Sequence, residues 1–172
     1  MIKTELEYQV TQEWIDKFKK SIVLMEKDEE GKRNDPQRWE LNRSALECHL
    51  DKLNAEIAEY ERLVNCDRTH PIQIQVENLN KLPDALIKAR IAAKMSQKEL
   101  AEILDIDERQ IEEYEKTDYQ NASFGELLEV SAALGVEFTT AIMKIDFAEI
   151  EEGKKISEKW RKEKLKNKTK IS

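Results

Sequence analysis

Ser96-Gln97-Lys98-Glu99-Leu100-Ala101, followed closely by Asp105-Ile106-Asp107-Glu108-Arg109-Gln110-Ile111, is the stretch that decides the fold. Ser96 and Glu99 have the spacing of a capping box: a hydroxyl accepts from one backbone N–H while the carboxylate three residues on reaches back. The box predicts a helix start at 96, with Leu100, Ala101 and Leu104 inward. Asp105-Ile106 is a short turn. Asp107 caps the next helix, which turns Ile111 and Tyr114 inward. Ala101 is small enough for the two helices to cross there, and Ile106 and Ile111 plug the angle between them. Upstream, Leu82-Pro83 opens a helical block whose first helix runs through Leu86 to Ala93 and stops near Met95. Downstream, Ser123 and Glu126 form a second capping box, opening a helix through Leu127, Leu128, Val130 and Leu134 that Gly135 closes.

On these residues, with Tyr114-Glu115 and Leu134-Gly135-Val136 in register, Leu86 to Val136 resembles the Cro/CI-type helix-turn-helix family, also called the XRE family. The resemblance covers about a third of the chain and implies a lambda-repressor-like domain of four to five helices. It implies double-stranded DNA as partner, with the third helix in the major groove. By position, the residues facing bases are Glu108, Arg109 and Glu113, with Gln110 beside them. Arg109 suits a bidentate contact to guanine, and Glu108 or Glu113 would accept from cytosine. Gln97 matches a phosphate contact at a helix N-terminus. Lys116, Tyr119, Gln120 and Asn121 match the loop that contacts the DNA backbone. Arg90 and Glu115 match a structural ion pair between the first and third helices. Gln110 through Thr117 is also similar to a subgroup with antitoxins of HigA type, which implies autoregulation and a toxin as protein partner. The sequence departs from the family pattern in two places. Asp105 stands where the turn has glycine. The reading helix is acidic, with Asp107, Glu108, Glu112, Glu113 and Glu115 against Arg109 and Lys116. Glu112 and Glu115 are expected to turn away from the groove.

Outward from this block the composition is that of helices. The chain has 172 residues, of which 40% are apolar and 38% charged, with only 4 Gly and 3 Pro. The charged share is far above the ~25% norm, and so few turn-formers argue against a sandwich or barrel. Val10, Trp14, Phe18, Ile22 and Met25 predict one apolar helix face, capped by Thr4 with Glu7 or by Thr11. Lys27 to Pro36 reads as a polar loop. Leu46, Leu50, Leu53, Ile57, Tyr60 and Val64 form an unbroken heptad seam, with Trp39 one heptad earlier. Residues 1–64 are therefore predicted to be an antiparallel helical hairpin, with a core small enough to want a partner, such as a second copy. Residues 65–81 read as a linker with a short strand at Ile72, Ile74 and Val76.

Charge divides the chain unevenly. Residues 1–80 carry 12 basic and 17 acidic groups, residues 81–152 carry 8 and 17, and residues 153–172 carry 9 and 2. The basic end, with Trp160 among its lysines, reads either as a nucleic-acid-binding tail or as a solvated, disordered one. Cys48-His49 and Cys66 with His70 lack the tight Cys pair of a structural zinc site, so no metal is expected. No Gly-rich phosphate loop or nucleophile motif is present, so neither cofactor nor enzymatic activity is expected. The longest apolar runs fall short of the ~18 residues needed to span a bilayer. The opening residues Met1 to Glu5 lack the order of a signal peptide, and a cytoplasmic protein is expected.

The sequence thus predicts an all-α protein: a hairpin at 1–64, a linker at 65–81, a helix-turn-helix domain at 82–150 and a basic tail at 151–172. The function expected is a homodimeric, sequence-specific DNA-binding regulator, with an autoregulating antitoxin as its finer form. The alternative is a protein-binding adaptor or toxin-neutralising protein that uses the heptad face and the acidic helix.

Overall fold

A computed structural model describes residues 1–168, with side chains described through residue 164. The protein is all-α. Among the described residues there are eight α-helices and no strand: α1 Glu5–Glu26, α2 Glu29–Asn34, α3 Pro36–Val64, α4 Leu82–Ala92, α5 Gln97–Leu104, α6 Glu108–Lys116, α7 Phe124–Ala133 and α8 Phe147–Lys168. The chain forms two compact units, Met1–Glu137 and Phe138–Ser172.

In the first unit α1 and α3 pair along much of their length. Thr4 caps α1 by accepting from the Glu7 backbone N–H, but no full capping box forms, because Glu7 accepts from Lys3 rather than Thr4. The predicted face of α1 is corrected. Val10 and Trp14 lie outside, and the residues turned to α3 are Tyr8, Thr11, Ile15, Phe18, Ile22 and Met25. Successive steps of four drift about 40° each, so Val10 lies about 120° round the helix from Ile22. Alternating steps of three and four stay on the seam. The heptad residues of α3 are half-buried against this seam. Tyr8 stacks on Tyr60 with ring centroids 5.2 Å apart, and the Trp39 indole N–H donates to the Met25 carbonyl at 3.1 Å. The expected loop at 27–36 is itself mostly helix: Asp28 caps α2, and Asp35 caps α3 ahead of Pro36.

Residues 65–81 form no strand, and their one regular element is a 3-10 turn at Leu79–Lys81. The hairpin and the helical block beyond this segment are joined by packing. Leu63 of α3 is buried in the same core as Leu86, Ile87, Leu100, Ile111 and Val130. Lys88 of α4 pairs with Glu59 of α3 at 2.7 Å. The predicted boundary at 150 falls inside α8, and the compact unit ends at Glu137. The basic segment is helical through Lys168, so a wholly disordered tail is corrected; residues 169–172 lie outside the described residues.

Candidate DNA interface

The turn between α5 and α6 forms as its residues predict. Ser96 and Glu99 make both bonds of the capping box, and Glu99 is held below the usual carboxylate range by the Ser96 backbone and side-chain bonds. Asp105 ends α5 at φ 55°, ψ 43°, the left-handed conformation. Ile106 donates its backbone N–H to the Ala101 carbonyl at 3.1 Å, which closes the turn. Asp107 caps α6 by accepting from Arg109. Ala101 and Ile111 are buried at the crossing, with Ile106 half-buried beside them.

α6 is oriented by a buried ion pair. Arg90 is 5% exposed and Glu115 is 1% exposed. The guanidinium meets the carboxylate in a fork, with Nε donating at 2.5 Å and Nη2 at 2.6 Å. Its remaining donors reach the Met95 carbonyl at 2.8 Å and the Lys3 carbonyl at 2.9 Å. Gln97 donates its amide to the same carboxylate at 2.9 Å. The Lys3 ammonium donates to the Glu115 carbonyl and to Asp118. A buried charge is tolerated when it is paired and its remaining bonds are satisfied, as here. The pair thus ties together α4, the α5 start, α6 and the segment leading into α1.

A second anchor is Tyr114, whose hydroxyl donates to Glu126 and accepts from the Gln110 amide at 2.5 Å. Burial, then the bond to Glu126, raises the Tyr114 pKa; the same bond and the Ser123 cap lower that of Glu126. Tyr119 packs on Tyr114 with its hydroxyl buried and, among the described residues, without a hydrogen-bond partner. Burial raises its pKa.

The structure therefore divides the candidate contact residues. Glu108, Arg109 and Glu113 are exposed on α6, as is Lys116, which ends that helix rather than lying in the loop; Gln120 and Asn121 are exposed in the loop before α7, whereas Tyr119 is buried and offers no DNA contact. Gln97 and Gln110 are half-buried, with their amides bonded inside the protein. Glu115 turns inward, and Glu112 is exposed between Glu108 and Lys116. The outward face of α6 thus presents three carboxylates with one guanidinium and one ammonium. Lys94 and Lys98, exposed on either side of the α5 cap, are basic groups that the motif reading passed over. Their signal was the Lys-x3-Lys spacing around Ser96. Among the described residues no group of three or more His, Cys, Asp or Glu is placed to hold a metal. Cys48 is exposed, the His49 ring stacks on Phe18, and Cys66 bonds weakly to the Ala92 carbonyl.

A short helix across a tight turn from a second, outward-facing helix is the arrangement of a DNA-binding helix-turn-helix. Residues 86–140, from within α4 to beyond α7, match the family model described as Helix-turn-helix. Comparison with curated proteins and with solved structures gives no match. No described helix is long and apolar enough to cross a membrane.

Proposed function

We propose that this protein is a DNA-binding transcription regulator that acts as a homodimer and reads its operator through α6. The observation that carries this reading is the exposure of Arg109 on an α6 fixed from behind by the buried Arg90–Glu115 pair. Arg109 then serves as the base-reading group, with Glu108 and Glu113 as acceptors for cytosine and with Lys116 and Asn121 toward the DNA backbone. The amides of Gln97 and Gln110 exchange their internal bonds for DNA if they take part. Two copies place their reading helices about one DNA turn, ~34 Å, apart. In its finer form the protein is an autoregulating antitoxin, for which the likeness of Gln110 to Thr117 is the support.

The test is fluorescence anisotropy against DNA from immediately upstream of the protein's own gene, beside a scrambled duplex, at several salt concentrations. The expected result is preference for the upstream duplex, with Arg109→Ala relaxing discrimination at one base position by ~1–3 kcal/mol. Equal affinity for both duplexes, unchanged in Arg109→Ala, refutes it.

One observation favours a second reading. Three exposed carboxylates on α6 oppose the phosphate contacts that supply much of the affinity for DNA. A protein-binding adaptor or toxin-neutralising role would use this acidic face against a basic partner. It would not use the heptad face, which α1 already covers.

A further inference from the structure

α1 carries a second heptad seam that nothing within the compact unit covers. Leu6, Val10, Glu13, Lys17, Lys20 and Leu24 follow steps of four, three, four, three and four, and all six are exposed. Leu6 and Leu24, large apolar side chains at the two ends of the stripe, are 71% and 69% exposed. The seam lies more than a quarter-turn from the residues that face α3. The hairpin itself is thinly cored, because Ile15 is the one fully buried side chain of α1. Such a hairpin gains most from burying a further face.

We propose that α1 pairs antiparallel with α1 of a second copy along this seam. This rests on the homodimer reading above and names the surface that makes the dimer. The occupant is chosen by the order of the residues, which is self-complementary about Ile15. Positions equally far from Ile15 meet across a two-fold axis. Leu6 meets the partner's Leu24, and Leu24 meets the partner's Leu6. Val10 meets the methylene stem of the partner's Lys20. Glu13 meets the partner's Lys17 twice, once on each side of the axis. A parallel pairing would place Glu13 on Glu13 and Lys17 on Lys17, so the charges also exclude the other orientation. Trp14, with the Lys17 ammonium 4.6 Å from its ring centroid, borders the seam and would close its edge.

The charge pattern supplies a test that folding of the variant chains does not confound. Lys17→Glu makes a chain with two acids at the central positions, and Glu13→Lys makes one with two bases. Each should dissociate as a homodimer roughly tenfold more readily than the natural chain in sedimentation equilibrium, since two attractive contacts become two repulsive ones. An equimolar mixture should recover the natural association, because each acid then faces a base of the other chain. Singles that associate like the natural chain, or a mixture no tighter than the singles, overturn the α1 pairing. In the first case a dimer that persists keeps the homodimer reading with another surface. A natural chain that stays monomeric at all concentrations, alone and on DNA, overturns both.

Discussion

Replacing Glu115 by Gln keeps the shape of the side chain and removes its charge. In the native protein Glu115 accepts from two donors of Arg90 and from Gln97, and Arg90 has almost no access to water. The substituted amide presents one oxygen where the carboxylate presented two, and its NH2 faces the guanidinium donors. The positive charge of Arg90 is then left buried without compensation. Breaking a buried pair in this way costs about 3–5 kcal/mol. At about 3 °C per kcal/mol for a unit of this size, the melting temperature should fall by roughly 9–15 °C. The assay is thermal and urea unfolding followed by circular dichroism at 222 nm. The double variant Arg90→Met with Glu115→Leu removes both charges and should lose less than Glu115→Gln alone. It should not recover fully, since the Met95 and Lys3 carbonyls lose their donor. A Glu115→Gln protein that melts within about 2 °C of the natural one would refute the claim that this pair holds α6 in place.

Further outcomes follow from single sites. The Glu59 carboxyl is pushed down to about 2, by its bonds with Arg62 first and Lys88 next. A depressed carboxyl stabilises the fold above its ordinary pKa and loses that contribution as pH falls through its folded value. The natural protein should therefore lose about 1–2 kcal/mol relative to Glu59→Gln between about pH 4.5 and pH 2, a gap set by partial screening; parallel acid-unfolding profiles would contradict this. Asp105→Gly relieves a left-handed side-chain-bearing residue and should change stability by no more than about 1 kcal/mol, in the stabilising direction, by urea denaturation. Tyr119→Phe removes a buried hydroxyl without a partner and should be neutral or slightly stabilising; a loss above about 1 kcal/mol would show that the hydroxyl is bonded in solution.

The turn at 96–111 could be read from the sequence because its signals are local. Ser96, Glu99, Asp105 and Asp107 each act on backbone groups within three or four residues. The outer seam of α1 and the true inner seam were harder. Val10, Trp14, Phe18 and Ile22 look like a stripe by spacing, yet steps of four rotate round the helix, and only the partner selects Ile15 over Trp14. The attachment of the hairpin was not legible at all. It depends on Lys3 meeting Glu115 and Asp118, on Leu63 entering the core, and on Lys88 reaching Glu59. None of these pairings has a local signature, since long-range contacts are fixed by the packing of whole elements. In the interface, the inward turn of Glu115 was foreseen through Arg90. The occupation of Gln97 and Gln110 was not, because an amide's partner is decided by which donors and acceptors lie within a few ångströms of it.

The 29-residue α3 runs about 43 Å and ends inside the core that carries α6. It is a rigid strut whose foot is cemented into the helix-turn-helix block, so the intervening coil at 65–78 contributes no play. In the proposed homodimer this would divide the work of choosing an operator. On the proposed reading the letters would be chosen at α6. The distance between half-sites would be chosen far away, by the angle at which the two paired α1 helices cross. A tethered pair of heads would slide to suit several spacings; heads on struts accept the one their crossing dictates. Substitutions that splay the hairpins would then change the permitted spacing and leave the preferred letters untouched.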